Sequence, residues 1–230
     1  MNKLKHGVQV IEESGYNVAL YGLSKSFGKT DPLSYADRLS YSQMEAVAHR
    51  LAGKGGGHDK FLRQMGVAFE LRYSRRFLHE FTTYIFAIHA TDTIMQSEST
   101  MHTLKKTELT EECFMPLSEN SSFVARYGMK AYLLFMKAVK KYGLPEEYGS
   151  FLIESFLQGR VVTTNYACIA NIFVQRYNHK IHTFYEKEWR HFCLSLYEQL
   201  EHPELLSVEK VNGELRLKKR KCEPKNEQAN

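Results

Sequence analysis

The chain reads as α+β: a helix-rich single domain carrying a small mixed or antiparallel sheet. Three observations predict this. Short runs with period-two alternation occur near the N-terminus and at 65–73. From residue 74 onward, longer runs repeat apolar residues at helical spacing. Near the end, Asn212-Gly213 sits between alternating apolar residues, the strongest short hairpin signal.

In chain order, HGVQVIEES (6–14) and YNVALYGLS (16–24) are split by Ser14-Gly15, which predicts two strands. SYSQMEAVAHRLAG (40–53) predicts a helix that Gly53 ends, and GKGGGHDK (53–60) a flexible stretch. The latter lacks the GK[ST] ending of a phosphate-binding loop. MGVAFELRY (65–73) alternates as a strand, and SRRFLHEFTTYIFAIHA (74–90) follows as an aromatic helix. IMQSESTMHTL (94–104) is crowded with hydroxyls, one amide, one carboxylate and one histidine, which favours a ligand loop over a plain helix exit. SSFVARYGMKAYLLFMKAVKKYG (121–143) is amphipathic and helical. PEEYGSFLIESFL (145–157) opens with Pro and two acids, as a helix start does. NYACIANIFVQRYNH (165–179) and HTFYEKEWRHFCLSLYEQL (182–200) predict two more helices, and VEKVNGELRLK (208–218) the hairpin. Residues 1–206 therefore form one expected domain, and 207–230 a hairpin with a basic, flexible tail.

Charge and composition narrow the function. Lys and Arg exceed Asp and Glu by 31 to 26, and much of the excess lies in the C-terminal tail, so nucleic acid is not the expected partner. Four cysteines, Cys113, Cys168, Cys193 and Cys222, have no paired spacing, and no apolar run reaches membrane-spanning length. A cytoplasmic protein with no membrane partner is expected. His179, His182 and Glu186 could share one helical face, but HxxH alone is a weak metal signal, and no metal is expected. There is no GxSxG, and no cysteine has a histidine and an acid in a catalytic pattern. Arg160 and Arg176 each follow an apolar run expected to be helical, a position from which a guanidinium can reach an anion. The alternative for either is a surface arginine paired with Glu186 or Glu188.

Three stretches resemble the flavin-dependent thymidylate synthases, also called thymidylate synthase-complementing proteins. GVAFELRYSRRFLHEF (66–81) looks like the family's strand and following S-R-x-L-x-H-Q helix, with Ser74, Arg75, His79 and Glu80 at matching places. QSESTMH (96–102) sits where the family has N-E-x-S-x-R-Y, with Gln96 for the asparagine and Ser99 on the serine. GRVVTTNYACIANIFVQRYNHK (159–180) carries an arginine, an asparagine and, five residues later, an arginine: Arg160, Asn171 and Arg176. The chain departs from the pattern as well. Met101 and His102 replace the motif's arginine and tyrosine, Thr163-Thr164 replace Leu-Pro, and the family's Arg-His-Arg is absent.

The resemblance implies a fold similar to that family's, assembled as a homotetramer. It implies methylation of dUMP to dTMP with methylenetetrahydrofolate, with FAD passing a hydride from NADPH. In the roles it implies, Ser99 polarises the pyrimidine, while Arg160, Arg176, Gln96, Ser97 and Glu80 bind the nucleotide. His79, Asn171, His179 and Arg75 line the flavin. A non-catalytic nucleotide- or partner-binding descendant of the family is the alternative, favoured by the missing Arg-His-Arg.

Overall fold

The computed structural model describes residues 4–26, 42–55, 57–89, 93–104, 106, 108–177 and 183–218. The elements are β1 (Gly7–Ser14), α1 (Tyr16–Ser26), α2 (Ser42–Leu51), β2 (Gly66–Ser74), α3 (Arg75–His89), β3 (Ile94–Ser97) and α4 (Thr100–Leu104). They continue with α5 (Phe123–Tyr142), α6 (Pro145–Ser150), β4 (Leu157–Asn165), α7 (Tyr166–Arg176), α8 (Thr183–Tyr197), β5 (Val208–Val211) and β6 (Glu214–Leu217). The helix-rich α+β class holds. The main sheet is antiparallel throughout, in the order β1-β2-β4-β3, and β5-β6 is a separate hairpin turned by Asn212 and Gly213, both at positive φ.

Three expectations fail. YNVALYGLS is helical, not a strand: Ala19, Leu20, Leu23 and Ser24 are its buried residues, a helical spacing that a single β-branched residue could not override. The turn into it needs Gly15, at φ +82°, where a Cβ would lie 2.0 Å from the Gln64 carbonyl oxygen. The helix begun at Pro145 stops at Ser150, and the chain then re-enters as β4, so Arg160 lies inside a strand rather than at a helix end. IMQSESTMHTL is neither a loop nor a helix exit. It forms the edge strand β3 and the short α4.

Alternation along the sheet explains the core. Val67, Phe69, Leu71 and Tyr73 of β2 and Val162 of β4 face the helical layer of α3, α7 and α8, where Trp189 is 1% exposed. A second, smaller cluster joins Leu104, Phe114, Met136, Tyr148, Leu152 and Phe156, beneath α5. Leu215 and Val208 of the hairpin enter the first cluster, and the Leu215 amide donates to the Tyr177 hydroxyl.

β1 is anchored through aromatic nitrogen chemistry. His6 stacks 5.0 Å from His191, and the Tyr73 hydroxyl lies 2.8 Å from His191 Nδ1. Burial, and then the neighbouring His191, pushes the His6 pKa down to about 4. The unfolded chain takes up this proton near pH 6.5, whereas the folded chain resists until about pH 4. Stability is therefore expected to fall as pH drops from 6.5 to 4. Melting temperatures across that window check it: the slope should flatten in His6→Phe, and an equal slope in both proteins would refute it.

Candidate functional site

α3 is divided lengthwise among three surroundings. Phe77, Leu78 and Phe81 enter the core. Arg76, Glu80 and Tyr84, spaced by four, turn toward α7 and α8. Arg75, His79, Thr82 and Thr83 form the third stripe and line an open cleft of about 1260 Å³.

Ser74 sets the start of α3. Its hydroxyl accepts from the Phe77 amide at 3.1 Å and donates to the buried Glu188 carboxylate at 2.7 Å. The Arg75 and Arg76 amides donate to the carbonyls of Phe156 and Glu154, so the segment 152–156 crosses the helix start and forms the next wall. Leu152, Glu154 and Tyr148 contribute that wall, Gln158 and Arg160 of β4 the floor, and Met95, Ser97, Thr100, His102 and Leu104 the remaining side. On β3 the alternation is direct: Met95 and Ser97 line the cleft, while Ile94 and Gln96 lie on the other face and are exposed.

The turn after β3 is fixed by Glu98. Its carboxylate accepts from Arg72 at 2.8 Å and from the Gly159 amide at 3.1 Å, and its carbonyl accepts from Gln158 Nε2 at 2.7 Å. This clamp aims α4 across the cleft.

Arg160 is the group whose electrostatics are unbalanced. Its Nη1 donates to the Leu78 carbonyl at 3.2 Å and the Thr82 hydroxyl at 2.7 Å, while its buried Nε has no partner. No carboxylate lies within ion-pair distance among the described residues, and burial lowers its pKa. A half-buried cation held only by neutral acceptors is prepared for an anion. Arg75 adds a second positive charge at the rim, only loosely met by Glu154 at 3.8 Å.

The cleft thus gathers Arg75, His79, Ser97 and Arg160 from the residues singled out by sequence. It does not gather the others. Arg176 is 6% exposed and bonds Glu80 at 2.9 Å, with its guanidinium 3.6 Å from the centre of the Tyr84 ring; Glu80 also accepts from Trp189 Nε1. The expected alternative partner, Glu188, belongs instead to Arg76 and Ser74. Gln96 and Ser99 are exposed outside the cleft lining, and Asn171 lies on α7, where its side-chain carbonyl accepts from Gln175. His179 and His182 lie outside the described residues. Among the described residues no three metal-ligating side chains cluster.

Sequence reading passed over Thr82, Thr83, Gln158, Tyr148 and Leu152. For the two threonines a signal existed, since they fall seven and eight residues after Arg75 on a predicted helix. The others needed β4, which had not been recognised. His191 pairs with Tyr73, and Cys193 is buried with its thiol pKa pushed up by that burial.

The antiparallel four-stranded sheet, backed by three helices and flanked by a helical excursion, is a fold this chain shares with solved flavin-dependent thymidylate synthases. Two solved structures of the Helicobacter pylori enzyme, thymidylate synthase X, both with FAD and dUMP, superpose at TM-scores of 0.67 and 0.66. Identities are 12% and 14%; the matches cover 85% and 87% of this chain and 94% and 97% of theirs. No protein-family model matches the chain. None of the curated proteins matches it. Among the described residues, no helix is long and apolar enough to cross a membrane.

Proposed function

We propose that the chain is a divergent flavin-dependent thymidylate synthase, or a close relative passing a one-carbon unit to a pyrimidine nucleotide. The observation that carries this reading is Arg160, a cation without a counter-ion in the open cleft of a fold whose solved examples hold FAD and dUMP. Arg160 takes the substrate's phosphate, with Arg75 as the second charge. Ser97, Thr82, Thr83 and Gln158 offer neutral hydrogen bonds for a uracil edge or a ribose, and Met95, Leu104, Tyr148 and Leu152 the apolar surface for a planar ring. His79 faces the same space and lines the flavin. FAD, when bound, supplies the hydride carrier; NADPH and methylenetetrahydrofolate are the co-substrates. The protein's own work is to position and polarise, which this donor set can do without a nucleophile.

Glu80 and Arg176 act on this reading by fixing the far flank of α3. In a cytoplasmic homotetramer with sites shared between copies, the exposed Gln96 and Ser99 meet the nucleotide of a neighbouring copy, Ser99 polarising its pyrimidine, and Asn171 and His179 serve the flavin.

A second reading is a binding protein without catalysis. Met101 and His102 in place of the motif's arginine and tyrosine favour it, because the cleft lining then holds two arginines among the described residues, Arg75 and Arg160. Incubation with FAD, desalting and a visible spectrum, followed by calorimetry with dUMP and a methyl-transfer assay, separates the two. A retained flavin band with turnover is the expected result. Nucleotide binding without flavin selects the second reading, and neither ligand binding refutes both.

A further inference from the structure

The fixed charges of the cleft fall short of the phosphate proposed for it. A phosphate monoester carries a charge of about −1.5 to −2 near neutral pH. Arg160 offers one positive charge that no carboxylate shares, but Arg75 divides its charge with Glu154 at 3.8 Å. The neutral lining groups, Thr82, Ser97 and Gln158 among them, can donate hydrogen bonds but bring no charge. A bound dianion therefore calls for one more cation.

Two side chains of the lining can supply it, because imidazole changes charge between about pH 5 and 8. His79 stands on α3, and His102 on α4, which bounds another side of the cleft. Among the described residues neither imidazole forms a hydrogen bond or an ion pair, so both are open to a ligand. The two are not equivalent. His79 follows Arg75 by four residues on the same stripe of one helix, where a second positive charge is opposed by the first. His102 comes from a separate element that holds no other charged residue. The groups that share the cleft with it are Arg75 and His79 of α3, Tyr148 of α6, Glu154 and Arg160. Burial raises the Tyr148 pKa, which keeps that phenol neutral, and Glu154 is already drawn to Arg75. Glu98, in the turn before α4, is engaged with Arg72 and the Gly159 amide, and that clamp fixes where α4 presents its imidazole.

We propose that His102 is the second phosphate ligand of the cleft, binding as imidazolium, and that it selects dianionic phosphate monoesters over monoanionic diesters. This rests on the phosphate position assigned above to Arg160. A proton balance follows from it. At about pH 7.5 a monoester is already a dianion, since its second ionisation lies near pH 6, and it brings no proton with it. An imidazole that is neutral before binding and charged afterwards takes its proton from solvent. Binding consumes that proton, so affinity falls as pH rises through neutrality.

Titration calorimetry on the full chain, in two buffers of different ionisation enthalpy at about pH 7.5, counts the protons. dUMP is expected to bind the native chain with net proton uptake. His102→Gln keeps a hydrogen bond but cannot hold the charge, so it should bind without uptake and roughly tenfold more weakly. The methyl ester of dUMP, a monoanionic phosphodiester, should bind native chain and variant alike, and His79→Gln should retain the uptake. His102 is exposed, so its replacement should leave the melting temperature unchanged. dUMP binding without proton uptake, or an equal loss for monoester and diester in His102→Gln, overturns the inference. Inorganic phosphate separates it from the proposed function. Phosphate bound with uptake that His102→Gln abolishes, in a chain that ignores dUMP, counts against that function and leaves His102 in its role. dUMP bound without uptake does the reverse, and a chain that binds neither probe overturns both.

Discussion

Arg160→Met is expected to remove nucleotide binding while leaving the melting temperature unchanged or raised. The two effects share one cause. Arg160 is desolvated and meets only neutral acceptors, so its charge is a standing cost to the free protein. Methionine restores most of the volume without the charge. The same charge is what a phosphate would meet, and a charge-assisted hydrogen bond contributes about 1.5–3 kcal/mol. Its loss weakens dUMP by roughly ten- to a hundredfold, more if two bonds form. Calorimetric titration and thermal denaturation of the same preparation check both halves. A variant that unfolds several degrees early would show that Arg160 is structural, and unchanged affinity would remove it from the site.

Arg176→Ala is expected to behave in the opposite sense. Arg176 is enclosed by Glu80, Tyr84 and Trp189, and deleting it strands the Glu80 carboxylate and removes the cation over the Tyr84 ring. Breaking one side of such a buried pair costs about 3–5 kcal/mol, which is roughly 10 °C for a chain of this length. Most of that cost belongs to the carboxylate left behind. Arg176→Met with Glu80→Gln should therefore recover a large part of it, and a double variant no better than the single one would refute the account. Two arginines that resemble each other in sequence thus separate by experiment: one is read by ligand affinity, the other by stability.

What could be read from the sequence follows from where periodicity is long enough to speak. α3, α5, α7 and α8 run for eleven to twenty residues with apolar residues at helical spacing, and β2 alternates cleanly, so all five were legible. The hairpin was legible because Asn212-Gly213 requires the positive φ it adopts. α1 was misread because its apolar residues lie close together after Ser14-Gly15, where strand and helix patterns overlap. β4 was hidden by Gly159, which strands disfavour, and by the apolar run before it, which merged with a helix start. Of the candidate site, Arg75 and His79 of α3, Ser97 of β3 and Arg160 of β4 were found, each inside a stretch that carries the resemblance. The partition of α3 into three flanks was not, since Glu80 and His79 are adjacent in sequence yet serve different neighbours.

The pairing of β2 with β4 joins Gly66 to Asn165 and Ser74 to Leu157, across the whole helical excursion. Such a closure is entropically late, because every local helix can form before it. β3 can add only to the free edge of β4, so the floor and side wall of the cleft arrive together in the final step of folding. A nascent chain carries finished helices long before it carries a binding site. Any ligand that grips Arg160 can then recognise only chains whose sheet is already complete.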